Sequence, residues 1–342
     1  MNAVNVPLVL PWIAFAAVWA TLAIAACALH RLSGSRLRSF DPEQCGALLL
    51  ALALVPLVGA FGAVVLGFAP AVGGFVVDAH CHPDVGCTTH VPTLRADASL
   101  AVLLVFGIAA SSAVIARSAA HGLRRSVRLS RALERLLPGK GQTHVGHRVD
   151  APVEIIDGDE RFAYCTGLIK PRVVVSRGLL DALPPLERQV VLAHERAHAV
   201  RHDNLRGLAA GIALWPAPHR IKHGLLRDLA RAAELACDRR AAERVGGPAA
   251  VVAALEAAHA SPGPPPFSLR HCVSVGRASA SFRTDASAET LRERIAALRA
   301  APDRRVPGLL AAAVIAFVYT GVTLAATLAA HHGVELLLAR LG

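Results

Sequence analysis

His194, Glu195 and His198 form an H-E-x-x-H set within an apolar run, Val190-Val191-Leu192-Ala193, that follows Pro184-Pro185. On a helix, positions four apart share a face. Both imidazoles then reach one Zn²⁺ while Glu195 stands beside it to work on a water. That is the chemistry of a metal-dependent hydrolase. Two histidines hold zinc poorly, and a hydrolytic site wants three protein ligands with one position left open. Glu234, in Arg231-Ala232-Ala233-Glu234-Leu235-Ala236-Cys237-Asp238, offers the third donor from a second helical stretch. Asp238, one turn later on the same face, is placed to accept a hydrogen bond from a ligand histidine and set its tautomer. His202, His219 and His223 are rival donors, and His202, four residues after His198, would share its helix face. Cys237 lies about 100° round the helix from Asp238, so it should face away and serve as core.

The elements that must position these groups are legible in outline. Two prolines suit a first helical turn, where a missing N–H costs nothing, and Leu186, Val190, Val191, Ala193, Ala197 and Val200 form an apolar stripe. Upstream, Val153 to Ile156, Arg161 to Cys165 and Arg172 to Ser176 read as short strands of a small sheet beside that helix. Such a sheet either offers an edge to an extended substrate or simply fills structure. Downstream, Leu205 to Trp215 is too short for a full membrane crossing and ends at Pro216 and Pro218, so it should be a packed or partly embedded helix. Ser261 to Phe267 reads as an irregular linker, and Glu289 to Leu298 as a charged amphipathic helix.

Hydrophobic residues make up 54% of the 342 and are concentrated in blocks, which points to membrane spans at about 6–29, 45–69, 99–116 and a fourth run, Val306 to Ala330. The first run has no basic segment before it and is too long for the apolar part of a signal peptide, so it is expected to be a membrane span. Arginines cluster beside the spans: Arg31, Arg36 and Arg38 in a short basic loop, then Arg117 to Arg131, then Arg304-Arg305. By the excess of positive charge on the cytoplasmic side, both termini should lie outside and residues 118–305 inside, in a multi-pass cell (cytoplasmic) membrane protein. The same clustering accounts for the +11 net charge without nucleic acid, for which no motif is present. The outside loop, 70–98, contains Cys81 and Cys87 among His80, His82 and His90. An oxidising location favours a Cys81–Cys87 disulfide, with a His/Cys metal site as the alternative. The seven cysteines are otherwise too scattered for a disulfide framework.

His194-Glu195-x-x-His198, Asp203 five residues on, the apolar stretch ending at Trp215-Pro216 and the Glu234 to Asp238 segment together resemble the membrane-bound zinc peptidases of the BlaR1/MecR1 type, the M56 peptidases, relatives of the Ste24/HtpX (M48) group. Ala163 to Gly167 and Pro171 to Ser176 also resemble that family's strand segments. The likeness covers roughly residues 1 to 330. It implies a mainly α membrane protein with four transmembrane helices. Residues 1–117 would hold three of them, and 306–342 the fourth with a short outside tail. Between them, 118–305 would be a cytoplasmic α+β zincin-like (gluzincin) peptidase domain. It assigns Zn²⁺ to His194, His198 and Glu234, the catalytic role to Glu195, and supporting roles to Asp238 and Asp203. The implied substrate is a cytoplasmic protein, a transcriptional repressor or the chain itself, cut in response to a signal. Housekeeping proteolysis of the HtpX kind and a non-catalytic membrane scaffold are the alternatives. The chain departs from the pattern at Pro216-Ala217-Pro218, where the family has an aromatic residue and Asn before Pro, and in having no penicillin-binding sensor domain after the last apolar segment.

Overall fold

The computed structural model describes residues 4–5, 9–68, 80–82, 86–88, 95–96, 143–144, 151–159, 161–260, 288–300 and 308–341, with isolated positions between 112 and 124. Helix α1 (Val9–Leu37) and α2 (Pro42–Phe68) form an antiparallel pair. Four short strands come first in the remaining order: β1 (Val4–Asn5) pairs with β4 (Arg95–Ala96), and β2 (His80–His82) with β3 (Gly86–Thr88). Then come β5 (Thr143–His144), β6 (Val153–Ile156), β7 (Ala163–Thr166), β8 (Arg172–Ser176) and the helices α3 (Arg177–Ala182), α4 (Pro185–Arg201), α5 (Asp203–Ala213), α6 (His219–Val245), α7 (Pro248–Ala260), α8 (Ala288–Arg299) and α9 (Gly308–Leu341).

Among the described residues, three helices are long and apolar enough to cross a membrane: Leu10–Leu37, Pro42–Phe68 and Ala313–Val334. The expected span at 99–116 lies outside the described residues apart from isolated positions. Two boundaries differ from expectation. Of the expected basic loop, Arg31 and Arg36 belong to the last part of α1, and Arg38 falls in the tight turn that follows, in which Ser39 N–H donates to Arg36 O at 3.2 Å. The tail expected after Ala330 continues α9, because Val334-Glu335-Leu336-Leu337-Leu338-Ala339-Arg340-Leu341 is rich in good helix formers. Glycines of α2 let its neighbours approach. A Cβ on Gly62 would stand 2.6 Å from Thr323 Cγ2 of α9, and Tyr319 Oη of α9 donates to Ala51 O at 2.7 Å. The β2–β3 register places Cys81 opposite Cys87 in backbone terms. Their side chains lie outside the description.

The central sheet runs β5-β6-β8-β7, with β6 and β8 parallel and both outer pairs antiparallel. Two further cores share helix α4. Val191 and Ala199 pack with Val153, Ala163, Val173, Val175, Leu179 and Leu180 under the sheet. Val190 and Ala193 pack with Ala241, Ala242, Val251, Leu255 and Leu298 from α6, α7 and α8. Burying both flanks of α4 fixes its rotation, and its remaining face is the one that carries the histidines. The third core joins the membrane-length helices to the rest: Ala23, Cys27, Cys45, Leu49 and Ala53 of α1 and α2 pack against Ala210, Leu214, Leu225, Leu229 and Ala232. Helix α5 is therefore docked on the spans, and Trp19 Nε1 of α1 donates to Ala213 O at 2.7 Å.

Candidate metal centre

Helix α4 begins with Pro185 at its first position and ends at His202, whose φ of 53° is left-handed. A non-glycine residue in that region stops the helix, and the chain starts α5 at once on Asp203. The turn carries His202 off the face shared by His194 and His198. Its Nδ1 instead lies 3.2 Å from Leu168 O, so His202 is not a rival donor. His219 and His223 sit near the start of α6. His223 is eleven residues before Glu234, about 16 Å along the axis at 1.5 Å per residue.

His194, Glu195, His198 and Glu234 are all buried. His194 Nε2 lies 3.2 Å from His198 Nε2, 3.5 Å separates His194 Nε2 from Glu234 Oε2, and 3.6 Å separates His198 Nε2 from Glu234 Oε1. A tetrahedral zinc with ligands at about 2.0–2.1 Å requires donor atoms about 3.3–3.4 Å apart. Each spacing is close to that edge length, the two to Glu234 ending on different oxygens, and one donor atom from each residue lies within 4.8 Å of the others, a size and chemistry consistent with a site for Zn²⁺.

The outer nitrogens of both imidazoles are taken. His194 Nδ1 lies 3.0 Å from Asp238 Oδ1, and His198 Nδ1 2.8 Å from Asp203 Oδ2. A carboxylate at Nδ1 holds the proton there and directs the Nε2 lone pair inward, towards the shared centre. Each carboxylate is in turn gripped by an arginine. Arg294 of α8 donates to Asp238 through Nε at 2.7 Å and Nη2 at 2.6 Å, and its Nη1 is 3.9 Å from Glu234 Oε2. Arg201 Nε donates to Asp203 at 3.1 and 3.2 Å.

These contacts govern the ionisation of the metal-free site. Burial alone would depress His194, but hydrogen bonds to Asp238 and Glu234 outweigh it and push the pKa up to about 10. Burial likewise opposes the charged form of His198, and the Asp203 hydrogen bond with the field of Glu234 holds its pKa above the ordinary value. Burial would raise Asp203, but His198 and Arg201 keep it well below the usual carboxylate range. Asp238 is also held low, Arg294 and His194 overcoming its burial.

Cys237 does not face away as its helical position suggested. Its Sγ lies 3.6 Å from Asp203 Oδ2, and His198, Asp203 and Cys237 form a second cluster of potential ligand atoms. Burial and the nearby Asp203 and Glu234 raise its pKa well above that of an ordinary thiol, so it acts as a neutral donor to Asp203 rather than a thiolate ligand. Arg201 and Arg294 carry no motif. Only the charged amphipathic character of 289–298 hinted that α8 had a polar surface to answer.

The model of peptidase family M48 matches residues 124–217. The match spans the sheet, the H-E-x-x-H helix and α5, and stops before Glu234. No curated protein and no solved structure matches the chain. The M48-type segment and three apolar helices suggest a membrane metallopeptidase. The His194, His198 and Glu234 group is consistent with its metal site.

Proposed function

We propose that this chain is an integral membrane zinc metalloendopeptidase in which His194, His198 and Glu234 hold Zn²⁺ and Glu195 is the general base. The observation that carries the reading is the convergence of His194, His198 and Glu234, whose nearest donor atoms are 3.2, 3.5 and 3.6 Å apart pair by pair. Zinc, when bound, supplies a polarised scissile carbonyl and a water acidified towards neutrality. The protein's part is to orient both imidazoles through Asp238 and Asp203, so that each Nε2 faces the shared centre. Buried Glu195 accepts the proton of the attacking water and returns it to the leaving amine.

In the BlaR1-type form of this proposal, the peptidase faces the cytoplasm and cuts a repressor, or the chain itself, when a signal arrives at the membrane. The four-span layout with residues 118–305 inside belongs to that form. The family M48 match is equally compatible with a second form, HtpX-like proteolysis of membrane proteins. A scaffold that merely keeps zinc accounts less well for Glu195, since structure needs the ligands and not the base. Full-length Glu195→Gln is the test. It should retain zinc at wild-type stoichiometry and lose cleavage, of casein or of its own chain, by about 10²–10⁴-fold. Cleavage by the zinc-loaded variant at the wild-type rate refutes the assignment.

A further inference from the structure

A continuous set of ion pairs leads from the start of the second membrane-length helix to one of the proposed zinc ligands. Glu43, in the first turn of α2, pairs with the Arg201 guanidinium. Arg201 Nε donates to both oxygens of Asp203 at 3.2 and 3.1 Å, and Asp203 accepts from His198 Nδ1 at 2.8 Å. The Arg201 side chain is 2% exposed, so it is a buried cation between two carboxylates from different elements. Its guanidinium lies against α2 at ordinary contact distance. A Cβ on Gly46 would stand 3.6 Å from Arg201 Nη2, and Gly46 lies three residues after Glu43, on the same face of the helix. Glu43 also lines an open cavity of about 520 Å³ between α2, α4 and α6.

We propose that Glu43 is a positioning residue for His198, acting through Arg201 and Asp203. The proposal rests on the zinc-site reading above. A buried guanidinium held from both sides has one place to sit, which fixes the Asp203 carboxylate and with it the ring plane and basicity of His198. Neutralising Glu43 leaves Arg201 held from one side only, and Asp203 can follow it. A shift of α2 along or about its axis therefore reaches the metal centre through charged groups rather than through the apolar core, which makes the membrane-length hairpin a working part of the site.

Asp41 provides the comparison. It precedes α2, its Oδ1 accepting from Glu43 N–H at 3.0 Å, a bond an asparagine also makes, while its Oδ2 binds Arg239 at 2.6 Å, and Arg239 leads on to Ala297 O rather than to the histidines. Full-length protein in detergent would be titrated with zinc against a competing chelator, and its thermal unfolding midpoint recorded. Glu43→Gln should weaken zinc affinity about 5- to 10-fold, below the 10- to 100-fold typical of a group touching the ligand itself, with the unfolding midpoint unchanged. Asp41→Asn should leave affinity within about twofold, since it breaks a pair that leads elsewhere. Arg201→Gln should lose at least as much as Glu43→Gln, and the double variant no more than Arg201→Gln alone.

Wild-type affinity in Glu43→Gln, equal losses in Glu43→Gln and Asp41→Asn, or full additivity in the double variant would each overturn the proposal. If Arg201→Gln does not fold, the contrast between Glu43→Gln and Asp41→Asn decides. The measurement needs no substrate, so the loss in Glu43→Gln stands even if the wild type cleaves nothing. Zinc binding that survives His198→Ala undisturbed overturns both this proposal and the zinc-site reading.

Discussion

Replacing Glu234 by Ala is expected to lower zinc affinity by about a thousandfold or more and to abolish hydrolysis, while Glu234→Asp recovers part of the loss. The carboxylate is the one anionic donor of the three and the one supplied by α6, so without it two neutral imidazoles remain at the centre. A second consequence distinguishes ligand loss from misfolding. Glu234 is buried with its neighbours and helps to keep His194 protonated in the metal-free protein. Its removal should therefore lower the pKa of His194. Proton NMR of the imidazole resonances across pH, with and without zinc, checks this. A His194 that titrates identically in the variant and the wild type would show that Glu234 does not face it.

The second large effect is an opposite pH dependence of the metal-free and zinc-bound proteins. In the folded, metal-free state His194 titrates at about 10, against about 6.5 for an unfolded imidazole. A pKa raised on folding contributes stability that is complete below about 6.5 and is lost as the pH rises through about 10. His198, raised in the same direction, adds to it. The metal-free protein should thus lose stability between pH 6.5 and 10. Zinc competes with those same protons, so its affinity should rise steeply over the same interval and fall in acid, where both imidazoles hold their protons. Thermal unfolding of chelator-treated and zinc-loaded protein at several pH values gives both curves. A metal-free protein that becomes more stable from pH 6.5 to 10 would contradict the ion-paired state of His194.

Much of the centre was legible because it depends on local spacing. His194 and His198 four apart, and Glu234 and Asp238 four apart, each lie along one helix face whatever else the chain does. The proline start of α4 and the three short strands are equally local signals. What the sequence could not carry depends on how elements meet. Arg294 reaches Asp238 from 56 residues away and Arg201 reaches back to Glu43 of α2, and no periodicity encodes such partners. His202 failed as a sharer of the His198 face because one left-handed residue ended the helix, an event that a histidine does not announce. Cys237 was misplaced because the site has supporting carboxylates on two sides of α6. Asp238 meets His194 while Cys237, a hundred degrees round, meets Asp203 of α5, so facing away from one is facing the other. Arg31 and Arg36 after the first span were expected in a loop and belong to a helix, since arginine suits both a membrane boundary and a helix C-terminus.

The joining of the spans to the site is the other feature that only packing reveals. Asp228 of α6, six residues before Glu234 on the same helix, is bound by His30 of α1 at 3.0 Å and by Arg38, in the turn after α1, at 2.9 Å. Together with the Asp41–Arg239 pair, this ties the first two membrane-length helices to α6, which supplies the third ligand, while the Glu43–Arg201 pair ties α2 to α4.

X-ray absorption at the zinc edge of the full-length, zinc-loaded protein tests the central claim most directly. One zinc per chain with only nitrogen and oxygen neighbours at about 2.0–2.2 Å, two of them imidazoles whose signature disappears in the His194→Ala and His198→Ala double variant, is the predicted result. A sulfur neighbour at about 2.3 Å, placing Cys237 on the metal, or a zinc whose imidazole signature survives that double variant, would contradict it.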